Sequence, residues 1–200
     1  MKPSGPEWVF GENMELVVSN YYAARGWLVM PLRLIENGGA PRAVGLAKSF
    51  VLPDLQVARG GVVRWVEVKG KGRIVKYQKA REFRTGIEER LWNDYLHIET
   101  ESGVPGYLAM VHLRRDPEGS IDPLLLLAPF ALLVPPDQEG VVKPVYDNKP
   151  MVFWNVDRFD RFDLPAHDLA DMPSIEPRTL HPWEKNSILP PKRPTQNRLL

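Results

Sequence analysis

Residues 52–70, LPDLQVARGGVVRWVEVKG, carry two strand-like patterns joined at Gly60-Gly61. A glycine pair between two such patterns predicts a two-residue hairpin turn, because that turn needs positive φ. The turn then fixes the register. Arg59 pairs with Val62, and, continuing along the hairpin, Asp54 falls opposite Glu67. Directly opposed residues have Cβ atoms ~4.5–5.5 Å apart. Two carboxylates that close repel unless a cation or a shared proton lies between them. A hard divalent ion suits the pair, since Mg2+ takes oxygen ligands and keeps several waters for substrate. Lys69 lies two residues beyond Glu67 and so shares its face. Its ammonium can orient a metal-bound water and stabilise negative charge growing on a phosphorane. Two acids, a lysine and a metal ion form a minimal kit for phosphodiester hydrolysis.

The surrounding pattern predicts an α/β chain. Ser4 and Glu7 fit a capping box with Pro6 in the first turn, opening a helix over about residues 5–25 that ends near Gly26. Phe10, Met14, Val17 and Tyr21 form its apolar stripe. At ~100° per residue, Glu15 lies roughly 130° from the stripe centre and Glu12 almost opposite it. Glu15 is therefore the helix acid that could lean into a metal site. Trp27–Ile35, Val51–Ala58 and Val62–Lys69 read as strands, with a glycine-containing loop over 36–50. Residues 70–76 read as a basic loop and Tyr77–Phe83 as a helix or turn. Thr85 with Glu88 reads as a second capping box, opening a helix that Gly103 stops. Tyr107–Arg114 is a fourth strand, Leu124–Val134 a strand plus short helix, and Met151–Val156 an edge strand.

The order Glu15, Pro53-Asp54, Glu67-Val68-Lys69 resembles the PD-(D/E)xK nuclease superfamily, with its restriction-endonuclease-like core. The piece ELVVSNYYAARGW, ending in Trp27, resembles the first helix of the Holliday-junction resolvase branch and favours Glu15 over Glu12. The resemblance covers residues 8–113. It implies an αβββαβ core with a mixed central sheet flanked by helices. It further implies Asp54, Glu67, the Val68 carbonyl and Glu15 as ligands of Mg2+ or Mn2+, with Lys69 as the catalytic lysine. The Gln-x-x-x-Tyr motif of some branches is not matched, because Glu82 stands four residues after Gln78.

Charge is unevenly spread. Between Arg59 and Arg90 stand ten bases and four acids, in a chain whose net charge is only +1. Lys71, Arg73, Lys76, Lys79 and Arg84 are the candidate phosphate contacts of this segment, which reads equally as a solvated face. The chain has no cysteine, which excludes a disulfide scaffold, a cysteine-ligated metal site and a cysteine nucleophile. The four histidines show no metal-ligand spacing. Trp65, on the Glu67 face, suits a core role or a stacked base. No apolar run is long enough to span a membrane, and no secretory signal is read at the N-terminus, so a cytoplasmic protein is expected. Prolines number 20, and seven of them fall in residues 165–200. The expected organisation is a nuclease-like domain over 1–160 and a proline-rich extended tail over 161–200. That tail would serve as a strap or as the contact of a homodimer or larger assembly, with Trp183, Ile188 and Leu189 as anchors. The expected activity is divalent-metal-dependent hydrolysis of phosphodiester bonds, in DNA in preference to RNA. The alternative is a catalytically idle module of the same fold that binds nucleic acid or a protein partner.

Overall fold

Gly60 and Gly61 take φ values of +56° and +82°, both in the left-handed region that a primed two-residue turn requires. The computed structural model describes residues 6–32, 41–44, 49–71, 75–77, 82–115, 121–134 and 149–164. On either side of the turn, β4 (Leu55–Arg59) and β5 (Val62–Lys71) pair antiparallel in the predicted register. Arg59 lies opposite Val62 and Leu55 opposite Val66.

Before them come α1 (Pro6–Ala23), as expected, and β1 (Leu28–Pro31), shorter than predicted and paired with β4. Two expectations are corrected here. The predicted loop over 36–50 contains β2 (Arg42–Val44), which pairs with β3 (Ser49–Val51). Phe50 and Val51 are buried, and burial of those side chains holds the short ribbon in place. The predicted strand Val51–Ala58 is split between β3 and β4. Pro53 has no N–H for a ladder, and the Asp54 carboxylate bonds the main chain of the neighbouring strand instead.

The segment after β5 is also corrected. Where it is described, the segment expected as a basic loop and a helix or turn is strand: β5 runs on to Lys71, and β6 (Val75–Tyr77) and β7 (Glu82–Glu88) follow, residues 72–74 and 78–81 lying outside the described residues. Thr85 and Glu88 lie in β7 and form no capping box. α2 (Glu89–Ser102) starts after them, with Glu88 at its N-cap and no side-chain cap bond. The cause is non-local: β10 (Met151–Asn155) pairs with β7, setting Trp154 opposite Thr85 and Met151 opposite Glu88. Five ladder positions outweigh one local cap. Gly103 ends α2 as predicted, at φ +65°, with its N–H donating to the Glu99 carbonyl.

β8 (Gly106–Arg115) then returns parallel to β5, and β9 (Ile121–Pro129) runs antiparallel to β8 into α3 (Phe130–Leu133). β11 (Asp160–Asp163) closes the far edge against β9 and was not anticipated. The result is a six-stranded mixed sheet in the order β1-β4-β5-β8-β9-β11, beside a three-stranded sheet β10-β7-β6. The αβββαβ order is present as α1, β1, β4, β5, α2 and β8, with β2-β3 and β6-β7 inserted. Folded structure continues past residue 160, because Leu164 is buried. Residues 165–200, including the expected anchors, lie outside the described residues. Among the described residues, no helix is long and apolar enough to cross a membrane.

Two apolar clusters cover opposite faces of the sheet. Met14, Val17, Val18, Tyr21 and Tyr22 of α1 pack on Leu55, Val57, Val66 and Val68. Trp92 and Tyr95 of α2 pack with Leu108, Met110, Phe130 and Trp154 on the other face. The period-2 alternation of β5 follows. Val66 and Val68 serve the α1 face, while Glu67 and Lys69, in register with Leu108 and Met110, are directed to the α2 face.

Candidate active site

The link between β3 and β4 delivers Asp54. Four hydrogen bonds hold it: Val51 N–H to Asp94 Oδ2 (3.4 Å), Leu52 N–H to the Pro41 carbonyl (2.8 Å), Leu32 N–H to the Asp54 carbonyl (3.0 Å) and Val68 N–H to Asp54 Oδ2 (2.9 Å). The last one docks the Asp54 side chain onto β5, beside Glu67.

Glu67 sits on a central strand and is 0% exposed. An ionised carboxylate there is costly unless paired. Lys69 forms an ion pair with Glu67 Oε1 while keeping 29% of its own side chain exposed. Tyr95 of α2 is buried close enough for the Glu67 and Asp54 charges to act on its hydroxyl. Even so, neither Glu67 oxygen receives a well-aligned hydrogen bond among the described residues. Burial, and then the Asp54 charge, push the Glu67 carboxyl up to about 8 against the opposing pull of Lys69. Burial alone would lower Lys69. The carboxylates of Glu67, Asp54 and Glu15 outweigh it and hold the ammonium well above its ordinary range.

The structure therefore brings Asp54, Glu67 and Lys69 together, with Val68 joined to Asp54 through its N–H. Glu15 is half-buried on α1, and its charge is felt at Lys69. Among the described residues, no group of three His, Asp or Glu side chains gathers tightly enough to hold a metal ion. The expected contrast between the helix acids is blunted, since Glu12 is half-buried as well.

The basic candidates fare unevenly. Lys71 is half-buried at the end of β5, and burial, then the Lys69 charge, lower its pKa against the pull of Glu88. Arg84 is 7% exposed within β7, so its guanidinium lines no open phosphate track, which corrects that assignment. Strand pairing on both sides of β7 closes it in. The main chain of Lys76 lies in β6, while Arg73 and Lys79 lie outside the described residues. Trp65 Nε1 donates to Ser102 Oγ at 3.0 Å, so its ring edge is tied to the end of α2 rather than offered to a base. His112 is 1% exposed, with Nε2 at 3.2 Å from Thr85 Oγ1, a packed residue.

The residue that sequence reasoning missed is Tyr95, buried on α2 within the field of Glu67 and Asp54. Its one local signal is an aromatic on the inward stripe of α2, three residues after buried Trp92 and three before buried Ile98.

No family model matches the chain, and no curated protein matches it in sequence. Among solved structures it is similar to Hjc of Archaeoglobus fulgidus, a Holliday junction resolvase from an archaeal hyperthermophile. The identity is 12% and the TM-score 0.44, over 79% of this chain and 94% of that one. A likeness of this size fixes neither family nor activity, and the functional reading stands on the geometry of the site.

Proposed function

We propose that the chain is a divalent-metal-dependent nuclease that hydrolyses phosphodiester bonds of DNA. Asp54 and Glu67 would hold Mg2+ or Mn2+, with the Val68 carbonyl and Glu15 as further donors. The observation that carries this reading is the pair itself: a fully buried carboxylate, short of well-aligned hydrogen bonds, set against a second carboxylate. Oxygen donors of this kind fit a hard cation. A divalent ion held there would supply an activated water and a Lewis acid for the phosphoryl oxygen.

The chain's own groups divide the remaining work. Asp54 is fixed by the Val68 N–H, so one carboxylate is oriented before any ligand arrives. Glu67 supplies the second from the sheet, out of solvent. Lys69 keeps its proton and remains partly exposed, so Nζ places a positive charge where a phosphate would approach. Hydrolysis then adds water across the ester: a new P–O bond forms, the bridging P–O bond breaks and the leaving oxygen takes a proton.

A second reading has one observation in its favour. The Lys69 ammonium already pairs with Glu67, and a fixed internal cation of that kind suits an idle module that binds without cutting. Incubation of the whole chain with duplex, branched and single-stranded DNA and with RNA, in Mg2+, Mn2+ or EDTA, separates the two. The nuclease reading expects DNA cleavage that EDTA abolishes. Binding without cleavage in either metal would favour the idle module.

A further inference from the structure

We propose that Asp94 is a positioning residue of this centre, holding the Val51 main chain and through it the link that presents Asp54 to β5; this rests on the metal-nuclease reading above. Asp94 is 7% exposed on α2. A carboxylate so placed is costly unless it is bonded. Its Oδ2 accepts the Val51 N–H at 3.4 Å and lies 3.6 Å from Nη1 of Arg90, one turn back along the helix. Nearly one turn further on, the His97 ring stacks on Phe50 at 4.0 Å between centroids and 26° between planes. Helix α2 therefore grips two consecutive residues of β3, Phe50 by its ring and Val51 by its main chain. The Val51 side chain is buried in the same apolar cluster as Trp92.

The link passes that position on to Asp54. Only Leu52, Pro53 and Asp54 separate β3 from β4. The Pro53 ring fixes its own φ and confines Leu52 to extended backbone. Leu52 N–H donates to the Pro41 carbonyl, and the Asp54 carbonyl accepts from Leu32 N–H. A link this short and stiff transmits a shift of Val51 instead of absorbing it. At its far end Asp54 Oδ2 accepts the Val68 N–H at 2.9 Å, one residue along β5 from Glu67. The Val68 amide thus reports whether Asp54 is docked beside Glu67. Outer groups that orient metal-binding side chains typically contribute 10–100-fold in affinity.

The test compares Asp94→Leu, which fills the space without an acceptor, with Asp94→Asn, which keeps one. Both are made in the whole chain. The Val68 amide is followed by NMR without metal in nitrogen-15 valine-labelled protein, assigned from its loss in Val68→Ile, and Mn2+ binding is then titrated. In Asp94→Leu the Val68 amide should move and exchange faster with solvent, and the Mn2+ dissociation constant should rise about tenfold. Asp94→Asn should restore both. An unmoved Val68 amide in a folded Asp94→Leu protein overturns the proposal, even if the melting temperature falls, since Asp94 would then serve stability alone. Equal impairment of the Asn variant also overturns it, because the bond to Val51 would not be what matters. If Asp94→Leu does not fold, His97→Ala takes its place: removing the ring beneath Phe50 should displace the Val68 amide, and an unmoved amide overturns the proposal. A displaced Val68 amide in a protein whose unsubstituted form binds no Mn2+ upholds the tie between Asp94 and Asp54 and brings down the metal reading instead.

Discussion

Burial of Glu67 makes the metal-free fold sensitive to pH, and Glu67→Gln isolates the effect. The carboxyl moves from an ordinary 4.5 to about 8 on folding. Between those values the folded chain holds a proton that the unfolded chain has released. Stability therefore falls as pH rises through that window and levels off above it. At about 1.4 kcal/mol per tenfold, a displacement of this size corresponds to roughly 5 kcal/mol at most. A folded core relaxes around a buried charge, which softens the burial penalty, so about half of that figure, roughly 2–3 kcal/mol, is expected as stability. For a domain of this length that is about 5–10 °C in melting temperature. The assay is thermal melting in EDTA from pH 5 to pH 9, for the unsubstituted chain and Glu67→Gln. Groups common to both cancel in the difference. The unsubstituted chain should lose stability relative to the variant as pH rises, and saturating Mn2+ should remove most of that loss by taking the proton's place. Parallel pH profiles for the two proteins would refute the reasoning.

Three further outcomes are expected. Lys69→Met should lower DNA turnover by about 100-fold while leaving Mn2+ affinity equal or tighter, since the competing ammonium on Glu67 is gone; single-turnover kinetics and a Mn2+ titration check the two halves. Glu15→Gln should reduce cleavage more than Glu12→Gln in a side-by-side rate comparison, because the Glu15 charge is the one felt at Lys69. Gly106→Ala should cost about 1–3 kcal/mol in a urea melt, because a Cβ there would meet the Phe130 ring at 2.1 Å, and overpacking of that order is not absorbed freely.

Much of the site was legible because it is local. Gly60-Gly61 sets the hairpin register, which puts Glu67 and Lys69 on one face of β5 and brings the link that carries Asp54 beside them. What stayed hidden depends on partners far along the sequence. Thr85 and Glu88 satisfy the cap pattern, yet β10, arriving more than 60 residues later, recruits them into a strand. β11 is short and gains its place only by pairing with β9. Arg84 belongs to a basic run on paper, and only the strands on either side of it show that its guanidinium is enclosed. Tyr95 could be placed on the inward stripe of a helix. Which charges it faces is decided by how α2 crosses the sheet, which no local pattern encodes. The split at Pro53-Asp54 lies between these cases. The proline announces a break in the ladder, but the bond from Val68 N–H that turns the break into a site needs the folded hairpin.

The central claim is that Asp54 and Glu67 together hold a divalent cation. Its most direct test is titration of Mn2+ into the whole chain, followed by electron paramagnetic resonance at pH 8, with Asp54→Asn as the comparison. Asn can still accept the Val68 N–H, so the fold is kept while a ligand charge is lost. The account predicts saturable binding of one Mn2+ in the unsubstituted chain and its loss in Asp54→Asn. Equal binding by both proteins, or none by the unsubstituted chain, would contradict it.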